Sequence, residues 1–135
     1  MVGETYNLDE NLLNRAAKEA FDYLGGDFEV NLSFVTPERI RELNRDYRHK
    51  DEVTDVLSFK LDPNVFGGDI AICFSELESD AKNLWKLPIS EAAAFLLVHG
   101  ILHLADYDHT NATDRAKMVK AEDEILAKVK INVER

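Results

Sequence analysis

Three of the four histidines in this 135-residue chain, His99, His103 and His109, fall within eleven residues. Their spacing, i, i+4, i+10, constrains the backbone more than any other feature of the sequence. On an α-helix, His99 and His103 would project from one face, about 40° apart in azimuth and about 6 Å apart along the axis. That separation suits two imidazoles on one metal. A helix continued to His109 would carry it about 15 Å from His99, out of reach. The helix must therefore stop near Leu104 and the chain turn back. Asp106 and Asp108 are residues that tolerate such turn geometry.

Three neutral imidazoles leave the full charge of a zinc ion in place and a fourth position open, the mark of a catalytic zinc rather than a structural one. A zinc so held lowers the pKa of bound water to about 7 and polarises a carbonyl or phosphoryl oxygen. Nickel and copper also suit nitrogen ligands. The bland alternative gives the three histidines separate jobs as a helix cap, a core residue and a surface residue. Phe95, Leu96, Leu97, Val98, Ile101 and Leu102 bury this helix in a core, and the triple spacing then favours the metal. The same spacing occurs in zinc proteases of the H-E-x-x-H-x-x-G-x-x-H type. Here position 100 is Gly rather than the Glu that serves them as general base, and Met118 lies in an amphipathic helical pattern rather than a turn. Both argue against a peptidase.

The remaining punctuation predicts a single α+β domain over 1–135, a small mixed sheet packed by about four to five helices, with the histidines at the end of a central helix. Leu8–Leu24 reads as a helix ended by Gly25 and Gly26. Phe28–Val35 alternates as a half-buried strand. Thr36 and Pro37 open a helix to about Tyr47. Val56–Phe59 and Asp69–Phe74 read as strands. Ser75 with Glu78 predicts a capping box for a helix to about Leu87. Ser90 starts the histidine helix, and a last amphipathic helix runs from about Asn111 to Lys130.

A net charge of −10 argues against a polyanion as partner. Charge is local, however. Arg39, Arg41, Arg45, Arg48 and Lys50 stand against two acidic residues in the same stretch, and Arg41, Arg45 and Arg48 share a helix face. Such a strip is ordinarily solvated surface and matters only if the fold carries it to the histidines. The single Cys73 excludes an internal disulfide. With no secretory or membrane-spanning pattern, the expected location is the cytoplasm.

Three blocks, LNRDYRHKDEVTDVLSF (43–59), GDI (68–70) and HGILHLADYDH (99–109), resemble the YbeY family of bacterial rRNA maturation factors. They stand in that family's order and span the chain from about position 36 onward. The resemblance implies a metal-dependent, single-strand-preferring endoribonuclease acting at the 3′ end of small-subunit (16S) rRNA and in ribosome quality control. It implies His99, His103 and His109 as zinc ligands and Arg48 as a functional arginine. The implied partners are rRNA, the small ribosomal subunit or a ribosomal protein, and an Era-type GTPase, with no membrane. The chain departs from the family at Asp106, where Gly is usual, and at Val53 and Lys60, where Pro is usual.

For phosphodiester cleavage, an arginine fork and a metal suit the charge that develops on the non-bridging oxygens. A general base is not evident. Asp55 reads as a cap or turn residue, Asp69 as a turn at a strand edge, His49 as a loop residue, and Asp108 as an orienting partner for a ligand histidine. RNA carries its own nucleophile, the 2′-OH. Two other classes stay open: a zinc-bearing, non-catalytic ribosome assembly factor, and a zinc peptidase or amidase.

Overall fold

Local signals set most of the element boundaries. In the computed structural model, which describes residues 7–26, 28–60, 62, 64, 67–108 and 110–134, helix α1 spans Glu10–Leu24. It starts at Asp9, whose carboxylate accepts the Leu12 N–H, and stops at Gly25 in the left-handed conformation. Strand β1 is Glu29–Val35. Helix α2 (Pro37–Arg48) opens with Thr36 accepting the Arg39 N–H and closes on His49 at φ 58. Strands β2 (Val56–Phe59) and β3 (Gly67–Cys73) follow, then helix α3 (Phe74–Asp80), which continues into one π-helical turn, Ala81–Trp85. The histidine helix is α4 (Ile89–Leu104), and α5 (Ala112–Ala127) is capped by Asn111.

Three expectations need correction. The capping box does not form. Strand β3 passes into α3 without a loop, so the helix begins at Phe74, and the Ser75 hydroxyl lies 3.5 Å from Cys73 Sγ. Helix α4 starts at Ile89, one residue before the expected Ser90, and follows Pro88; the Ser90 hydroxyl accepts the N–H of Asp9. Asp69 is not at a strand edge turn, because β3 begins two residues earlier at Gly67 and Asp69 lies inside it, accepting from Asn31.

The sheet order is β1-β3-β2. Strand β3 runs parallel to β1, with Glu29 opposite Gly67, and antiparallel to β2, with Phe59 opposite Asp69. Helix α2 covers one face, where Ile40 packs with Leu57 and Cys73. Helix α4 crosses the other face, with α1 and α5 packed beyond it. Eleven of the sixteen residues of α4 are buried, so this is the core helix of the domain rather than an amphipathic surface helix. At Gly100 it rides directly on the sheet: a Cβ there would come within 3.0 Å of Ile70 Cδ1 and Ser58 Oγ. The Ser58 hydroxyl uses the same closeness to donate to the Gly100 carbonyl at 3.0 Å. This contact brings the end of α4 beside β2 and the end of α2.

Candidate metal centre and cleft

The end of α4 sets the geometry of the histidines. Asp106 donates its N–H to the His103 carbonyl and Tyr107 to the Leu102 carbonyl, both at 3.0 Å, with Asp106 at φ 70. This is a Schellman turn with Asp in the left-handed position usually held by Gly. The predicted break after Leu104 is therefore real. The departure at Asp106 is absorbed by a residue that tolerates positive φ, at a cost of about 1–2 kcal/mol. The carboxylate of Asp106 meets Lys60 Nζ at 2.7 Å.

The same turn delivers the Tyr107 carbonyl to His103 Nδ1, 3.0 Å away. An Nδ1–H donated to that carbonyl leaves the lone pair of the neutral His103 ring on Nε2. The buried carboxylate of Glu122, from α5, lies 3.5 Å from Nδ1 of His99 and favours the same tautomer there. The two Nε2 atoms face each other 3.0 Å apart. At that distance one nitrogen can donate to the other, or both can present their lone pairs to a single cation. Nitrogens bound to one zinc at about 2.0–2.1 Å in tetrahedral geometry would lie about 3.3 Å apart, so the pair fits such an ion. Among the described residues no third donor completes a cluster with them. His109, the third expected ligand, lies outside the described residues.

Glu122 was not legible as a site residue, although a signal existed. It sits on the buried stripe of α5 with Met118 and Ile125, one carboxylate at i, i+4, i+7 among apolar neighbours. Glu122 and the Tyr107 carbonyl thus each orient one of the two described histidines. Asp108 stands in the wall of the adjoining cleft and accepts from Thr110 Oγ1 at 3.4 Å.

That cleft, about 640 Å³, runs from the histidines to the end of α2 and is lined by Asn44, Arg48, Lys50, Thr54, Asp55 and Ser58 among others. The basic strip divides at this point. Arg39, Arg41 and Arg45 are exposed and bridge to Glu42, Asp51 and Asp46 at 3.1, 2.7 and 3.3 Å. Arg48 instead turns into the cleft and donates from Nη2 to the neutral Ser58 carbonyl at 3.2 Å. Among the described residues no carboxylate pairs with it. Buried Asn44 donates to the Glu52 carbonyl at 3.0 Å and holds the intervening loop against α2. His49 serves as the left-handed stop of α2.

Asp55, on the cleft wall, hydrogen-bonds the carboxyl of Asp80. Burial first, then the bond to Asp55 and its charge, then the charge of Glu76, push Asp80 from 3.8 up to about 6. The folded state thus holds this proton more tightly than the unfolded chain. The associated stabilisation is complete below pH 3.8 and is lost as pH rises through about 6. Asp80→Asn should therefore raise the Tm relative to the native protein at pH 8, with the gain vanishing by pH 4. Thermal unfolding followed by circular dichroism at both pH values checks this.

A family model described as "Endoribonuclease YbeY" matches residues 4–130. The chain is 39% identical over 125 residues to the endoribonuclease YbeY of Staphylococcus carnosus, covering 85% of this chain and 80% of that one. It is 39% identical over 127 residues to that of Phytoplasma australiense, covering 87% and 84%. Among solved structures, the solution structure of TM1509 from Thermotoga maritima aligns with TM-score 0.60 and 31% identity, over 93% of this chain and 87% of that one.

Proposed function

The chain belongs to the YbeY endoribonuclease family, and from that premise we propose that it is a zinc-dependent, cytoplasmic endoribonuclease that cleaves single-stranded RNA in 16S rRNA 3′-end maturation and ribosome quality control. The observation that carries this reading is one juxtaposition. Two imidazole Nε2 atoms, each ring oriented through its Nδ1, face each other at 3.0 Å in the same cleft as an arginine with no acidic partner among the described residues.

His99, His103 and His109 would hold the zinc; for His109 the assignment rests on spacing and family resemblance. When bound, zinc supplies Lewis-acid charge at a phosphoryl oxygen. Arg48 offers a planar fork of donors to the non-bridging oxygens on which negative charge develops. Its hydrogen bond to Ser58 points the guanidinium into the cleft before substrate arrives, which lowers the cost of ordering it. Tyr107 and Glu122 keep the imidazoles in the tautomer that presents Nε2. The 2′-OH adjacent to the scissile phosphate attacks phosphorus as the P–O5′ bond breaks; its proton passes to solvent and the 5′-oxygen leaves as a hydroxyl, so the ends are a 2′,3′-cyclic phosphate and a 5′-OH, and the chain's own residues bind, orient and neutralise the phosphate. The net charge of −10 supports a protein contact outside the cleft, with a ribosomal protein or an Era-type GTPase as the proposed partner.

The test is cleavage of a single-stranded RNA by untagged protein of measured metal content, with the product ends identified by mass spectrometry. About one zinc per chain and 2′,3′-cyclic phosphate ends are expected. Free 3′-OH and 5′-phosphate ends would mean that water attacked and would retire the 2′-OH route. Metal without cleavage would leave a zinc-bearing assembly factor.

A further inference from the structure

Tyr47 is 62% exposed although its ring is a large apolar surface, and it is held in place from beneath. Its centroid lies 5.0 Å from that of half-buried Phe59, at an interplanar angle of 51°. The contact has a fixed relation to the cleft. Consecutive residues of α2, Tyr47 and Arg48, engage consecutive residues of β2, Phe59 and Ser58: the ring rests on Phe59 and the guanidinium donates to the Ser58 carbonyl. Ser58 and Arg48 line the cleft, and Tyr47 and Phe59 are their immediate chain neighbours. Lys50, also on the cleft wall, adds positive charge on the same side.

An exposed aromatic face beside a phosphate-binding arginine is the arrangement that grips an unpaired nucleotide. The arginine takes the phosphate and the ring takes the base by stacking. We propose that Tyr47, backed by Phe59, is the base-stacking residue for the nucleotide next to the phosphate bound by Arg48. This deepens the ribonuclease reading and rests on it. It also gives single-strand preference a physical cause. A base inside a duplex has both faces covered by its neighbours and cannot stack on Tyr47, whereas an unpaired base can. Every base has such a face, so the contact selects strandedness rather than sequence.

The test is binding of a short single-stranded RNA, 2′-O-methylated throughout so that it cannot be cleaved, followed by fluorescence anisotropy. Stacking contributes about 1–3 kcal/mol per base, so Tyr47→Ala should weaken binding by about 5- to 150-fold, while Tyr47→Phe binds like the native protein. Tyr47→Leu keeps Phe59 covered but has no π-face. It should hold the Tm and lose affinity like the alanine variant; retention of native affinity by Tyr47→Leu would reduce Tyr47 to a packing residue and overturn the proposal. In an RNA scanned with single abasic sites, one position should weaken the native complex by the same factor and leave the Tyr47→Ala complex unchanged. Additive losses at every position in both proteins would overturn it. So would native affinity in Tyr47→Ala, which would assign the patch to a protein contact. If the native protein binds no single-stranded RNA, the ribonuclease reading falls and this one falls with it. Binding unchanged across all the variants removes the stacking assignment alone.

Discussion

Replacing His103 by alanine should lower RNA cleavage by about 10³-fold or more and remove most of the bound zinc. The floor comes from comparison with outer partners of metal ligands, whose loss typically costs about 10–100-fold in metal affinity or activity. Removing a ligand itself must exceed that. Glu122→Gln, which keeps shape and burial but removes the carboxylate beside His99 Nδ1, should fall within the smaller range. Metal content by mass spectrometry, cleavage rate and thermal unfolding on the same samples separate two meanings. A folded, metal-poor, inactive His103→Ala supports a catalytic ion. Global unfolding would make the metal structural and return the protein to the assembly-factor class.

Arg48→Ala should reduce cleavage by about 10²–10³-fold, the range seen when one donor to a developing oxyanion is removed. Zinc content should not change, and stability should shift by no more than about 1 kcal/mol, because the exposed side chain makes one hydrogen bond to a neutral carbonyl. Arg48→Lys keeps the charge but lacks the planar fork, and its rate should lie between the two. Arg41→Ala provides the contrast. Its guanidinium is already bound by Asp51 on the protein surface, so cleavage should remain at the native rate. Equal losses in Arg41→Ala and Arg48→Ala would reduce the role of Arg48 to general surface charge.

The elements read most easily from sequence are those whose signals lie within a few residues. Asp9 and Gly25 bracket α1, Thr36 with Pro37 opens α2, and the alternation from Phe28 marks β1. The histidine break was legible for the same reason, since helix geometry over eleven residues decides it. Ser75 and Glu78 satisfied a local rule that β3 overrode by running straight into α3. What stayed illegible depends on distant parts of the chain. Helix spacing puts Arg41, Arg45 and Arg48 on one face, yet only Arg48 reaches the cleft, because β2 lies at the sheet edge next to the end of α4. Glu122 follows His99 by 23 positions and meets it only because α5 folds back along α4. The contact between Asp80 and Asp55 likewise joins separate elements.

Gly100 bears on which chemistries this scaffold can evolve toward. Some glycine codons are a single nucleotide change from glutamate, and a glutamate following the first histidine is what zinc peptidases use as their base. Mutation offers that step readily, but the architecture opposes it. The side chain would have to grow into Ile70 and Ser58, pushing both side chains aside and straining the Ser58 hydrogen bond to the Gly100 carbonyl. The helix–sheet contact at Gly100 thus sets a packing cost on that one step, while loops and surface charges away from it can change without touching the core.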